Sequence, residues 1–229
     1  PNILSSIWDT LAPREQTVLR FMAETMRPET ESTIEKFVAS ELNYNKFKKS
    51  LKSLISLNLI VVKPEVNAPD LYDLHPLVRQ FVRTRFERNE RNGFIRVVLN
   101  QYEIIIGAIE SMLGAFLPLP MLERWSQKAE LEISAELYEQ AFETLYKVED
   151  AMIGGGHVEE FIRTARVLFE AIDWEIAPTK FKRFDHLVGV TVNCFDQLGQ
   201  YENADELLIR FEQTIPKKTA RFIKYCDIR

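Results

Sequence analysis

A chain of 229 residues is long enough for one or two cores of ordinary domain size. Its hydrophobic fraction of 46% and charged fraction of 28% leave no room for a long disordered stretch. The net charge of −5 is unevenly spread: residues 1–92 hold 14 Lys and Arg against 12 Asp and Glu, whereas the remainder is acidic, so the two halves are expected to do different jobs. No segment reaches the ~18 continuous apolar residues of a membrane span. The longest candidate, Ile104 to Leu117, is broken by Glu110, Ser111 and Gly114. Cys194 and Cys226 are not spaced as a redox pair or a metal clip, and both fall in helical patterns. A reducing, cytoplasmic setting with no membrane partner is therefore expected. The chain opens on Pro1 rather than Met and closes inside a helical pattern, which leads us to expect a piece of a longer polypeptide.

Taken in order, Thr10 to Glu15 opens a first helix, with Pro13 in the first turn where its missing N–H costs nothing. Val18, Leu19, Phe21, Met22 and Met26 follow at helical spacing. A short second helix starts near Thr30, where Ser32 and Glu35 fit a capping box. A third starts at Asn43, buries Phe47, Leu51, Leu54 and Ile55, and closes at Asn58. Then the period changes. Residues 59–63 and 71–74 read as two short strands around the turn-rich segment Pro64 to Asp70, a single hairpin. His75-Pro76 opens another helix. Three helices and a two-stranded wing make the winged-helix order, assigned to residues 1–92.

Beyond Asn92-Gly93 the pattern is helical throughout. Phe94 to Phe116 is followed by segments near 120–133, 135–153, 157–173, 178–198, 201–215 and 217–227, with connectors at Gly154-Gly155-Gly156, Ala177-Pro178, Gly199-Gln200 and Pro216. Short connectors force neighbouring helices antiparallel, and stacked pairs form a solenoid. Leu198-Gly199-Gln200-Tyr201, continuing through Ala204, Leu208 and Phe211 to Pro216, resembles a tetratricopeptide repeat: Gly at the inter-helix turn, Ala where the helices touch, Pro at the end. Weaker echoes occur at Leu137-Tyr138 to Ala141, where Glu136 replaces the turn Gly, and at Gly156 to Phe161. The expected fold class is mainly α: a winged-helix domain with one short β-hairpin (1–92), then a helical, tetratricopeptide-like repeat array (93–229).

No catalytic constellation emerges. There is no Gly-x-x-x-x-Gly-Lys-Ser/Thr phosphate loop, so the chain is expected not to be an enzyme by itself. Gly154-Gly155-Gly156 follows no strand and reads as a helix connector. His157 and His186 have no Cys or His at ligand spacing, so no metal is expected. Glu159-Glu160 and Asp205-Glu206 read as solvated helix faces. Lys46, Lys48, Lys49 and Lys52 lie on the third helix, which enters the major groove in DNA-binding winged helices. That helix has no Arg, and the module is only mildly basic.

The most informative residues are Leu74-His75-Pro76-Leu77-Val78-Arg79-Gln80-Phe81. This octet resembles the Met-His-Asp motif of the NB-ARC class of STAND signal-transduction ATPases, in the Leu-His-Pro variant of bacterial relatives. The resemblance implies that His75 reaches the phosphate of bound ADP and helps hold the resting state. A histidine at a helix N-terminus suits that role. The Asp of the named motif is Pro76 here, so no carboxylate role carries over. The alternative is that His75 merely caps its helix.

The sequence reading that follows is the regulatory and sensor tail of such an ATPase. The phosphate loop, the Mg²⁺ site and any effector domain would lie outside this chain. No cofactor is expected in the fragment, and ADP or ATP in the longer protein. The implied partners are the ATPase core of the same polypeptide and a protein or peptide ligand on the repeats. Two alternatives stand beside it: a transcription regulator with a nucleic-acid-binding winged helix, and a plain scaffold.

Overall fold

The computed structural model describes residues 3–114, 116–215 and 221. The chain divides into two compact units, Pro1–Ile104 and Ile105–Arg229. The division falls inside a helix rather than at Asn92-Gly93, because that pair is itself helical.

In the first unit, α1 (Ile3–Thr10) precedes the first helix expected from the sequence. Trp8 holds it, packing edge-on against Phe86 at 5.6 Å and near Phe81 at 6.0 Å. Then α2 (Pro13–Glu24) starts with Pro13 in its first turn, and Glu15 accepts from the Ala12 N–H at 2.8 Å. Next come β1 (Glu29–Thr30) and α3 (Glu31–Val38). The cap of α3 is Thr30, whose hydroxyl accepts from the Thr33 N–H, and not Ser32. Asn43 caps α4 (Tyr44–Ser56) by accepting from the Lys46 N–H at 3.0 Å.

The hairpin consists of β2 (Ile60–Lys63) and β3 (Leu71–Leu74), with Ile60 opposite Leu74 and Lys63 opposite Leu71. Contrary to the expected lone hairpin, β2 and β3 are not the whole sheet. β1 pairs antiparallel with β3, so the sheet has three strands in the order β1-β3-β2. Two residues are too short to carry an alternating pattern. β1 is fixed from elsewhere, by Tyr102 donating its hydroxyl to the buried Glu29 at 2.7 Å. α5 (Pro76–Arg85) follows β3, and α6 (Arg88–Ile109) closes the unit. Arg20 is sandwiched between Phe86 and Phe94, at 3.9 and 4.1 Å from their centroids.

In the second unit a 3₁₀ turn (Glu110–Met112) leads to α7 (Leu119–Ser134), α8 (Tyr138–Gly154), α9 (Val158–Ala171), α10 (Ala177–Lys180), α11 (Phe184–Gln197) and α12 (Tyr201–Glu212). The single helix expected over 178–198 is split. Phe181 leaves helical conformation and stacks on Phe142 at 5.1 Å. Phe184 starts α11 inside a cluster with Phe142, Phe169, Trp174 and Phe211. Between α7 and α8 a buried polar group is fully paired: Thr144 donates to Glu132 at 2.7 Å, and Lys128 reaches the other Glu132 oxygen at 2.5 Å.

Three inter-helix turns share one hydrogen-bond pattern. Leu137 N–H donates to Glu132 O, His157 to Met152 O and Gln200 to Phe195 O, at 2.8 to 2.9 Å. The residue before each takes a left-handed conformation: Glu136 at φ 59°, Gly156 at 78°, Gly199 at 68°. This is the Schellman turn, and glycine is its favoured occupant. Asn58, at φ 56°, closes α4 in the same way. The turn geometry expected at Gly199 is present, and Ala204 is buried on α12 with Leu208 and Phe211. Pro216, the segment 217–227 other than Arg221, and Cys226 lie outside the described residues.

Candidate functional site around His75

The chain leaves the sheet at the buried Leu74, and His75 turns it into α5. His75 has φ −54° and ψ 134°, outside the helix, while its carbonyl accepts from the N–H groups of Val78 and Arg79. Pro76 supplies the first turn. The exposed imidazole bends back, and Nδ1 accepts from the Leu77 N–H at 3.3 Å. That contact is a helix cap, at the long end of hydrogen-bond range. It also sets the tautomer. With Nδ1 accepting, a neutral ring carries its proton on Nε2, a donor of the kind a phosphate oxygen requires. Capping and phosphate contact thus use different ring atoms. The described residues fit the group that the octet implies at this one position.

Arg79 in the same octet has a structural task. Its guanidinium donates to the carbonyls of Met22, at 2.9 Å, and of Thr25, and pairs with Asp73 at 2.5 Å. Arg83, one turn on, donates Nε to the Ala23 carbonyl at 2.6 Å. From α6, Arg91 grips the buried Glu24 with two bonds, at 2.7 and 2.8 Å. Arg79 and Arg83 satisfy carbonyls left open at the end of α2 and complement its dipole, while Arg91 neutralises its last side chain. Sequence reasoning missed this cluster. The available signal was a charged residue, Glu24, inside an apolar helix pattern, with basic residues four apart on α5.

On α4, Lys46, Lys49 and Lys52 are exposed. Lys48 is not a free cation: it pairs with both oxygens of Glu31 at 2.6 Å, which raises its pKa. The four lysines therefore do not form one equivalent phosphate-binding row. The exposed wing loop, 64–70, carries Glu65 and Asp70 and no basic residue.

In the second unit His157 precedes α9, as expected, with Phe116 at 6.4 Å between ring centroids. His186 lies on α11 and meets Glu149 of α8 at 2.5 Å. Burial raises the Glu149 pKa, an effect that His186 opposes. Cys194 is buried, which pushes its pKa up to about 11, the reverse of an activated thiol. Of the acidic pairs, Glu159, Asp205 and Glu206 are solvated, whereas Glu160 binds Arg163. Among the described residues no group of three or more His, Cys, Asp or Glu is placed to hold a metal ion. No helix among them is long and apolar enough to cross a membrane.

No family model and no curated protein matches the chain. A search of solved structures finds similarity to a signal transduction ATPase with numerous domains from Pyrococcus horikoshii, which carries a tetratricopeptide repeat sensor. The identity is 16% and the TM-score 0.41, with 98% of this chain and 35% of that one covered. This chain thus spans about a third of the length of the structure it matches.

Proposed function

We propose that this chain is the regulatory and sensor tail of a STAND-type signalling ATPase. The observation that carries the reading is His75: exposed, placed where a strand turns into a helix, and capping that helix through Nδ1 so that Nε2 is left open. The winged helix acts as a latch on a nucleotide-binding core, and His75 donates to the phosphate of ADP held there. The helical array receives a protein or peptide ligand. Ligand binding must differ in strength between latched and open states, since otherwise it cannot shift the balance. The fragment alone turns over neither ATP nor GTP. Hydrolysis by purified fragment above a buffer control, lost on mutating one of its residues, would contradict this.

The decisive experiment uses the full-length protein. His75→Asp keeps an acceptor at the helix cap and places a negative charge beside the phosphate. ADP affinity should fall by roughly one to two powers of ten, the worth of a charged hydrogen bond, while the 229-residue chain melts as wild type. His75→Ala should give a similar loss of affinity and, through the lost cap, cost the fragment about 0.5–1 kcal/mol. Unchanged ADP affinity in both variants would end the latch. DNA binding is the second reading, favoured by exposed Lys46, Lys49 and Lys52 on α4. The acidic wing opposes it, and a salt-dependent mobility shift with duplex DNA would revive it.

A further inference from the structure

Beside the end of α2, a groove of about 450 Å³ runs along α5. Met26, Leu74 and Pro76 give it an apolar side, while Arg79, Arg83 and Thr84 give it a polar one. Its size suits a few side chains. The charges around it do not balance. Asp73 is occupied by Arg79 and by Lys63, and Glu24 by Arg91. Arg83 is left with the Ala23 carbonyl and a weak contact to the Met26 sulfur at 3.5 Å, and among the described residues it has no carboxylate partner. Among the residues that line the groove, two cations, Arg79 and Arg83, thus face one anion, Asp73. The carboxyl end of α2 contributes only about half a negative charge. Burial is the main influence on Arg83 and lowers its pKa; Arg79 and Arg91 act in the same direction, against Glu24.

We infer that this groove is a docking site for an acidic protein segment, one whose Glu or Asp meets Arg83 while flanking apolar residues cover Met26 and Pro76. A carboxylate there completes a charge that the fold leaves half-buried and unmatched, which a neutral ligand cannot do. The apolar side selects a peptide over a small anion, because an anion alone leaves that side in water. His75 itself does not line the groove, although Leu74 and Pro76 on either side of it do.

The test uses the 229-residue chain and three probes: a blocked peptide of alternating Leu and Glu, the same peptide with Gln for Glu, and inorganic phosphate. Calorimetry at low salt gives affinities, and amide shifts locate the site. The Glu peptide should bind at least about tenfold tighter than its Gln counterpart, with shifts along α5. Arg83→Gln should abolish that preference. Thr84→Glu, which puts a carboxylate into the groove from the exposed side of α5, should weaken the peptide by a similar factor without lowering the melting temperature. Equal binding of the two peptides would overturn the proposal, as would binding of phosphate alone. So would a folded Arg83→Gln with its preference intact. If Arg83→Gln does not fold, Thr84→Glu decides: undiminished peptide binding there overturns the site.

Discussion

Both units have a buried apolar core, and they differ in what is gathered around it. In the first, charged side chains cross long stretches of sequence: Arg79 reaches Met22, 57 residues away, and Arg91 reaches Glu24, 67 residues away. In the second, helices are reversed by short left-handed turns and packed around aromatic rings, with Phe184 at the centre. The first adds to its buried apolar core a few directional bonds gathered at the end of one helix. The second spreads its stability over contacts that are individually weak and not directional. A surface that must dock and release can be built on the former, because its charges are already gathered in one place. A repeat array needs the latter, since each helix pair must bury its face against the next.

The sharpest way to break the contrast is to remove the centre of the ring cluster. Phe184→Ala should cost the second unit roughly 3–5 kcal/mol, from lost burial and the cavity left behind, measured by denaturant melting with a probe in that unit. A much smaller loss would mean that the aromatic cluster is incidental. For the first unit the matching change is Glu24→Ala. It leaves Arg91 partly buried without its partner, and should cost about 3 kcal/mol, the low end of the range because Arg91 retains some solvent contact. Ala204→Leu follows, overpacking the buried face of α12 by about 1–3 kcal/mol. A melting midpoint equal to wild type would count against the tetratricopeptide-like packing of α11 and α12.

Turn chemistry gives a smaller, two-signed effect. Gly199→Ala forces a side chain into left-handed geometry at about 1–2 kcal/mol. Glu136→Gly relieves the same strain and should stabilise by about 0.5–1 kcal/mol after the entropy of glycine is counted. If both substitutions shift the midpoint in one direction, the three turns are not equivalent. The smallest effect concerns pH. Burial, opposed by His186, holds Glu149 above its ordinary value of 4.5. Its contribution is therefore fully present below that value and is lost as pH rises through the higher folded pKa. Glu149→Gln should flatten this part of the stability profile and be neutral or slightly stabilising at pH 7. A Gln variant whose profile parallels wild type would place the titration elsewhere.

Much of the fold was legible because its signals are local. Pro13, Asn43 and Pro76 mark helix starts through bonds that span at most a few residues, and Gly199 marks a turn through its own dihedral angle. The left-handed Glu136 was legible as a departure from the repeat pattern, though not as strain. The candidate site was half legible. The octet drew attention to His75, and the structure adds that its ring caps α5 through Nδ1.

Sequence by itself determined the helical periods, the hairpin and the turn positions, since each depends on side chains within one or two turns of chain. Tertiary structure alone decided that α1 exists, that Glu29 and Thr30 form a third strand, that Phe181 splits a helix, and that Arg79, Arg83 and Arg91 gather at the end of α2. Each of these depends on a partner far away in sequence. A buried ring or an open carbonyl offers the same local pattern whether or not that partner arrives, so only the packed chain distinguishes the two.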